Sequence, residues 1–358
     1  MGLKAIFQIE SGISVDSAST TTTTTGTAST GFFGSRNTNV GLSSKTLGTL
    51  FYGNWDTPYK FITATTTFDS FYATGIANGN TLIGTPGFGV ASITTSQRNN
   101  NSSDASFDRR QGNSVQYWTP QFYGASARLL YSANEGKSTE SIAANINPTI
   151  YGASIAYDSP TFEYGSFRVA YSFEQHRDYF GLTQLGGALV SGTNHTARDN
   201  GNKVALSYNV NTKLGMTSLN VAFEQLAYNN SDTVASDLIH YHRNMLYIPV
   251  QHKMGANTFR LGFGQAWAGS CNRNFAVGGA ASPCSTTGLD AKQYSLGYSY
   301  SFSKRTDVYG FYTLVNNGEF ANYELGNGAG IVPNITASAG AGVGARQQGF
   351  GLGMRHVF

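Results

Sequence analysis

Charged side chains make up only 12% of this 358-residue sequence, about half the globular norm of roughly 25%. The net charge is +3, from 23 basic and 20 acidic residues, and no basic run stands out, which argues against a nucleic-acid-binding footprint. No apolar run approaches the roughly 20 residues of a transmembrane helix, so a helical membrane span is excluded while a strand-built one is not. Cysteine is nearly absent. Cys271 and Cys284 are separated by twelve residues rich in Gly, Ala and Ser, with none of the nearby pairs that a zinc or redox site needs. They fit a loop disulfide in an oxidising compartment better than two free thiols. The opening MGLKAIFQIESG lacks the basic region and long apolar core of a secretory signal.

What is abundant is Gly (43), Phe (23) and Tyr (21), arranged with a period of two. In Ala291–Ser303 one face carries Tyr294, Leu296, Tyr298, Tyr300 and Phe302, and the other carries Gln293, Ser295, Gly297, Ser299 and Ser301. A soluble sheet would turn aliphatic residues inward and charges outward. Aromatic residues opposed by small polar ones are the pattern of strands with lipid outside and a wet lumen inside. The test passes again at Leu3–Ser11, Tyr123–Asn134, around Phe167–Phe173, Val204–Val210, Leu246–Val250 and Phe259–Phe263, and about fourteen strands can be counted. Connections alternate between short turns, such as Ser303-Lys304-Arg305, and long polar segments, such as Asp56–Gly112 and Arg177–Gly201. Short turns at one rim and long loops at the other suit a transmembrane barrel, whereas a sandwich or propeller has no reason for that alternation. The expected fold is an all-β, antiparallel transmembrane barrel forming one domain over residues 1–358. Tyr59, Phe61, Tyr300, Phe302 and Tyr309, with Trp55, Trp118 and Trp267, lie near strand ends and are expected to serve the interfacial aromatic girdles.

Several segments resemble the general porins of β-proteobacteria: GLKAIFQIESG at 2–12, RNTNVGLSS at 36–44, GTLFYG at 48–53, NSVQYWTP at 113–120, AKQYSLGYSYSFSKRTDVYGFY at 291–312 and GFGLGMRHVF at 349–358. The resemblance implies a sixteen-stranded, homotrimeric outer-membrane barrel for passive diffusion of small hydrophilic solutes, with no cofactor and no energy input. It also implies outer-membrane lipid and lipopolysaccharide as surroundings. The terminal Phe358 resembles the signal read by the outer-membrane insertion machinery. In that family two strands precede the GLKAIFQ segment, so the fourteen seen here plus two would give sixteen. Family members often place Arg just before the third loop and in the NSVRY-type strand; here those positions are Asn54 and Gln116.

By the same resemblance, the segment from Asp56 to Gly112 is the third loop, which folds into the lumen and narrows it. It carries Asp56, Asp69, Asp104 and Asp108 with Lys60, Arg98, Arg109 and Arg110, and the strand pattern turns Lys4, Arg128, Arg168, Lys203, Arg243, Arg260 and Arg355 inward. An acidic loop facing a basic wall would set a transverse field across a constriction. Alternatively, these charges are scattered along the pore and only keep it wet. Arg109 and Arg110 either contact passing anions, or one of them pairs with Asp108 and tethers the loop. With inward cations outnumbering inward acids, weak anion preference is expected. A substrate-specific channel for organic anions and a surface-recognition barrel are the rival readings. No G-x-S-x-G elbow or phosphate loop marks an enzyme. His240 and His242 are the only close histidines; a two-residue spacing on a strand points them the same way, and the sequence names no third ligand for a metal.

Overall fold

In the computed structural model, residues 2–11, 34, 36–64, 68, 71, 77–87, 106–133, 147–179, 182, 196–230, 238–273, 284–323, 325 and 344–357 are described. One antiparallel sheet contains β1 (Lys4–Gln8), β2 (Thr38–Ser44), β3 (Gly48–Asp56), β4 (Arg110–Trp118), β5 (Ala125–Ala133), β6 (Thr149–Asp158), β7 (Gly165–Arg177) and β8 (Arg198–Thr212). It continues through β9 (Gly215–Asn229), β10 (Leu238–Met254), β11 (Asn257–Ala266), β12 (Ser270–Arg273), β13 (Ala291–Ser301), β14 (Thr306–Asn317) and β15 (Arg346–His356). Each strand pairs with its neighbours in chain order, except that β11 pairs with β13 while the four-residue β12 folds back on β10. β12 is the strand that alternation does not reveal, because SCNR offers no apolar face. Among the described residues β1 and β15 are the two edges of the sheet.

Length and parity explain the architecture. β8 and β9 run 15 residues each and β10 runs 17, beyond the roughly 9–11 that cross a bilayer as a tilted strand. Along each strand the large apolar side chains face outward and stay exposed: Leu129, Ile155, Leu261 and Leu296 among them. Many inward residues are small or polar, such as Ala170, Ser172, Ala205, Ser207, Ala222 and Ser295, and they are buried. The molecule is thus apolar outside and polar within. Short connections join β2 to β3, β4 to β5, β6 to β7, β8 to β9, β10 to β11 and β13 to β14. Two of them, Lys213-Leu214 and Gly255-Ala256, have only two residues, and Gly255 adopts φ +58°, a left-handed conformation that suits glycine in a two-residue hairpin. Apart from the three residues between β11 and β12, the other connections are longer, and the longest, 57–109, described in part, turns inward.

That inward segment supplies much of the core. It opens with α1 (Pro58–Phe61), capped by Thr57, whose side chain accepts from the Lys60 amide, with Pro58 in the first turn where its missing N–H costs nothing. Ile62, Phe68, Leu82 and Ile83 from the segment pack with inward Ala156, Ala170, Ala205, Ala222, Met245, Tyr247 and Ala266 of the wall. Small wall residues make the room. At Gly201 of β8 a Cβ would stand 2.8 Å from the Phe107 ring and 2.9 Å from the Tyr59 ring, so only glycine lets both aromatics approach.

Candidate functional site

The inward segment is fastened to the wall by a buried polar cluster. Glu224 of β9 lies directly across the ladder from Lys203 of β8 and points inward. Its carboxylate accepts from the Tyr59 hydroxyl at 2.6 Å, from the Gly84 amide at 2.8 Å and from Arg243 Nη2 of β10 at 3.1 Å. The same Arg243 nitrogen donates to the Leu82 carbonyl at 2.7 Å and also to the Thr85 carbonyl. Lys203 Nζ donates to Thr63 Oγ1 at 2.9 Å and lies 4.2 Å above the Tyr59 ring. On β13, Gln293 Nε2 donates to the Asn78 carbonyl at 2.9 Å. Glu224 and Arg243 are 0% exposed and Lys203 is 1% exposed. A buried charge is tolerated only when it is paired and hydrogen-bonded; Glu224 and Arg243 pair with each other, and Lys203 is hydrogen-bonded to Thr63 and stacked on Tyr59. Burial, reinforced by the neighbouring Glu224, pushes the Tyr59 phenol well above its ordinary range, so it stays a donor. Asp108, where the segment returns to β4, is also raised by burial, with Lys60 and Lys203 pulling the other way.

A second inward region, along β3 to β7, is wetter. Arg128 of β5 is only half-buried, its guanidinium 3.1 Å over the Phe61 ring at the end of α1 and 3.8 Å over Trp118 of β4. It has no carboxylate partner among the described residues. Arg168 is held by Asp158, with contacts of 2.8 and 2.9 Å to the two carboxylate oxygens. Asp56 lies 3.5 Å from Lys60 and 3.4 Å from Arg110, and Asn37 bridges Arg110 and Asp56. Here, among the described residues, Lys60, Arg110, Arg128 and Arg168 lie with Asp56, Asp158 and, buried on β7, Glu174.

A polar interior, an apolar exterior and alternating rims form a water-filled passage through a bilayer. The Gram-negative porin family model matches residues 1–319, most of the chain. The chain belongs to that family. It is an outer-membrane β-barrel that forms a channel for passive diffusion of small hydrophilic solutes, and the family points to a channel rather than an enzyme. Among solved structures, the barrel is similar to an anion-selective porin from Comamonas acidovorans, at 21% identity and TM-score 0.64 over all of this chain and 85% of that one. It is also similar to OmpT of Vibrio cholerae (14% identity, TM-score 0.51, 90% of this chain and 80% of that one). A complex of Salmonella typhi OmpF with daunomycin follows at 15% identity and TM-score 0.51, over 92% and 79%. No curated protein matches the chain.

The porin distributes its expected site residues unevenly. Lys203 and Arg243 point inward as the strand pattern requires, but they lie beneath the inserted segment rather than facing open water. Their long side chains reach the segment's hydroxyl and carbonyl groups, a use that parity alone does not reveal. Asp108, Arg109, Gln116 and Arg260 are buried as well. Arg109 sits 5.4 Å over the Tyr179 ring and Arg260 donates to Ser299. Gln116 donates to the Asp56 carbonyl at 3.3 Å. Arg110 pairs with Asp56 rather than with Asp108. Arg128 and Arg168 remain partly exposed, and Lys4 is exposed on the edge strand β1. Asp69 and Phe358 lie outside the described residues. Cys271 and Cys284 are joined, with Cα atoms 5.9 Å apart.

The aromatic girdle needs correcting. Tyr300, Phe302 and Trp267 are exposed. Tyr59 instead is buried against Glu224, Phe61 and Trp118 flank Arg128, Trp55 packs edge-on against Trp118, and Tyr309 shares the inward parity of Asp307 and Thr313. Closeness to a strand end does not say which face a ring takes. Glu224, Asp158 and the buried pair of Glu174 and His176, 2.8 Å apart, were not singled out from the sequence. Glu224 was within reach: it is the lone acid on the inward parity of β9, opposite Lys203.

Proposed function

We propose that this porin is a general diffusion pore with weak anion preference, assembled as a homotrimer, and that Arg128 is the main contributor to its selectivity. The observation that carries the reading is Arg128 itself: inward, half-buried and, among the described residues, without a carboxylate, where the inserted segment meets the wall. An uncompensated cation at a narrow, partly desolvated place raises the local concentration of anions. Among the described residues Lys60, Arg110 and Arg168, only partly offset by Asp56, Asp158 and the buried Glu174, point the same way. So does the anion selectivity named for the Comamonas acidovorans protein, at 21% identity. In this reading the segment from Asp56 to Gly112 narrows the lumen, lipopolysaccharide surrounds the outward face, and the insertion machinery reads the C-terminal Phe358.

Single-channel recording of the refolded chain in a planar bilayer, under a KCl gradient, tests the proposal. The expected result is conductance in steps of three with a reversal potential on the chloride side. A reversal potential on the potassium side would overturn the anion preference. Lone, uncorrelated steps would overturn the trimer.

A further inference from the structure

The structure assigns a divalent transition-metal site to the outward face of β10, built on His240 and His242 with Ser270 of β12. Both histidines share the outward parity of Leu246, above the stretch of β10 that would cross lipid. His240 Nε2 and His242 Nδ1 stand 3.1 Å apart. Two nitrogens bound to one ion at about 2.0–2.1 Å lie roughly 2.9 Å apart at a right angle and roughly 3.4 Å apart at the tetrahedral angle. The observed spacing falls between the two, so rotation of the rings turns both lone pairs onto one cation.

The surroundings orient the pair. His240 lies directly opposite Asn229 of β9, and His242 lies opposite Ser270. Asn229 Nδ2 donates to the Arg198 carbonyl at 2.9 Å, which turns Oδ1 toward His240 Nδ1 at 2.6 Å. A carbonyl oxygen only accepts, so His240 carries its hydrogen on Nδ1 and presents the Nε2 lone pair to the shared space. This is the outer-shell hydrogen bond that fixes the tautomer of a metal-binding histidine. With no ion present, His242 Nδ1–H donates to His240 Nε2. On binding, that hydrogen moves to His242 Nε2, both inner lone pairs go to the cation, and no proton is lost or gained. Ser270 Oγ, 3.2 Å from His242 Nδ1 and 3.4 Å from its Nε2, is close enough to supply an oxygen as third ligand through water.

Among the described residues no three His, Cys, Asp or Glu converge. The site is therefore a two-imidazole site completed by Ser270 and water. Imidazole ligands favour copper, nickel and zinc over magnesium and calcium, with copper the tightest of the divalent series. A bound ion would tie β9, β10 and β12 together at the long-loop rim.

The test is a Cu2+ titration of the tag-free, folded chain in detergent, read by electron paramagnetic resonance and calorimetry. One ion per chain with two nitrogen ligands is expected. His240→Ala and His242→Ala should each abolish it, and Asn229→Ala should weaken it by about tenfold or more. The His252→Ala/His356→Ala double variant, at the opposite rim, should bind as the parent does. Unchanged channel conductance and heat-modifiable gel migration establish that the variants fold. Binding that survives both His240→Ala and His242→Ala, or no binding by the parent up to millimolar copper, would overturn the assignment.

Discussion

Arg243 and Arg128 are the same residue type with the same inward parity, yet they do different work. Arg243 is wholly buried and its guanidinium is shared among Glu224 and the Leu82 and Thr85 carbonyls, so its charge is used up holding the inserted segment. Arg128 is half-buried between two aromatic faces, and among the described residues no carboxylate compensates its charge. What separates them is the other chain segment: residues 77–87 lie over β9 to β13, while among the described residues of the segment it is the short α1 that reaches β5. Inward position is thus not the same as pore position. A porin wall has an anchoring side, where charges are internal to the protein, and a wet side, where they act on solutes.

The largest effect expected from breaking this distinction is at Glu224. Glu224→Gln leaves Arg243 buried without its counter-charge and should cost about 3–5 kcal/mol. It should lower the thermal unfolding midpoint and make the single-channel current larger and noisier as residues 57–87 come loose. A quiet channel of unchanged stability would mean that the segment is held elsewhere.

Asp108 sharpens the comparison through pH. Burial raises its pKa above the unfolded value, so its favourable contribution is fully present below the ordinary aspartate pKa of about 3.9 and is lost as pH rises through the raised folded value. The segment should therefore be held more firmly in mild acid than at neutral pH. Subtracting the Asp108→Asn unfolding profile from the parent's isolates this slope. A difference that is flat, or of opposite sign, would remove Asp108 from the account.

The smallest effect concerns Arg168, partly exposed and paired with Asp158. Partly exposed pairs are worth about 1 kcal/mol or less, so Asp158→Asn should barely change stability. Freeing the guanidinium should nevertheless move the reversal potential further toward chloride. No movement would place Arg168 outside the narrow part of the passage.

Much of this fold is legible in the sequence because a barrel wall has one rule, alternation, and Tyr294–Phe302 or Phe167–Phe173 obey it over many residues. Thr149–Asp158 matches its observed strand end to end. β12 escaped because four residues without an apolar face carry no period. The site was half legible. Parity turned Lys203, Arg243 and Arg128 inward, but only the path of residues 57–87 decides which of them meets water, and a loop has no period to read. Tyr59 shows the same limit, since a tyrosine beside a strand end fits a lipid girdle until its hydroxyl is found on Glu224.

The most direct test of the division into an anchoring side and a wet side is the reversal potential of Arg128→Gln in a KCl gradient, recorded beside Glu224→Gln. The account predicts that Arg128→Gln moves the reversal potential toward potassium while current noise and unfolding midpoint stay near the parent's. An unmoved reversal potential in Arg128→Gln would contradict it.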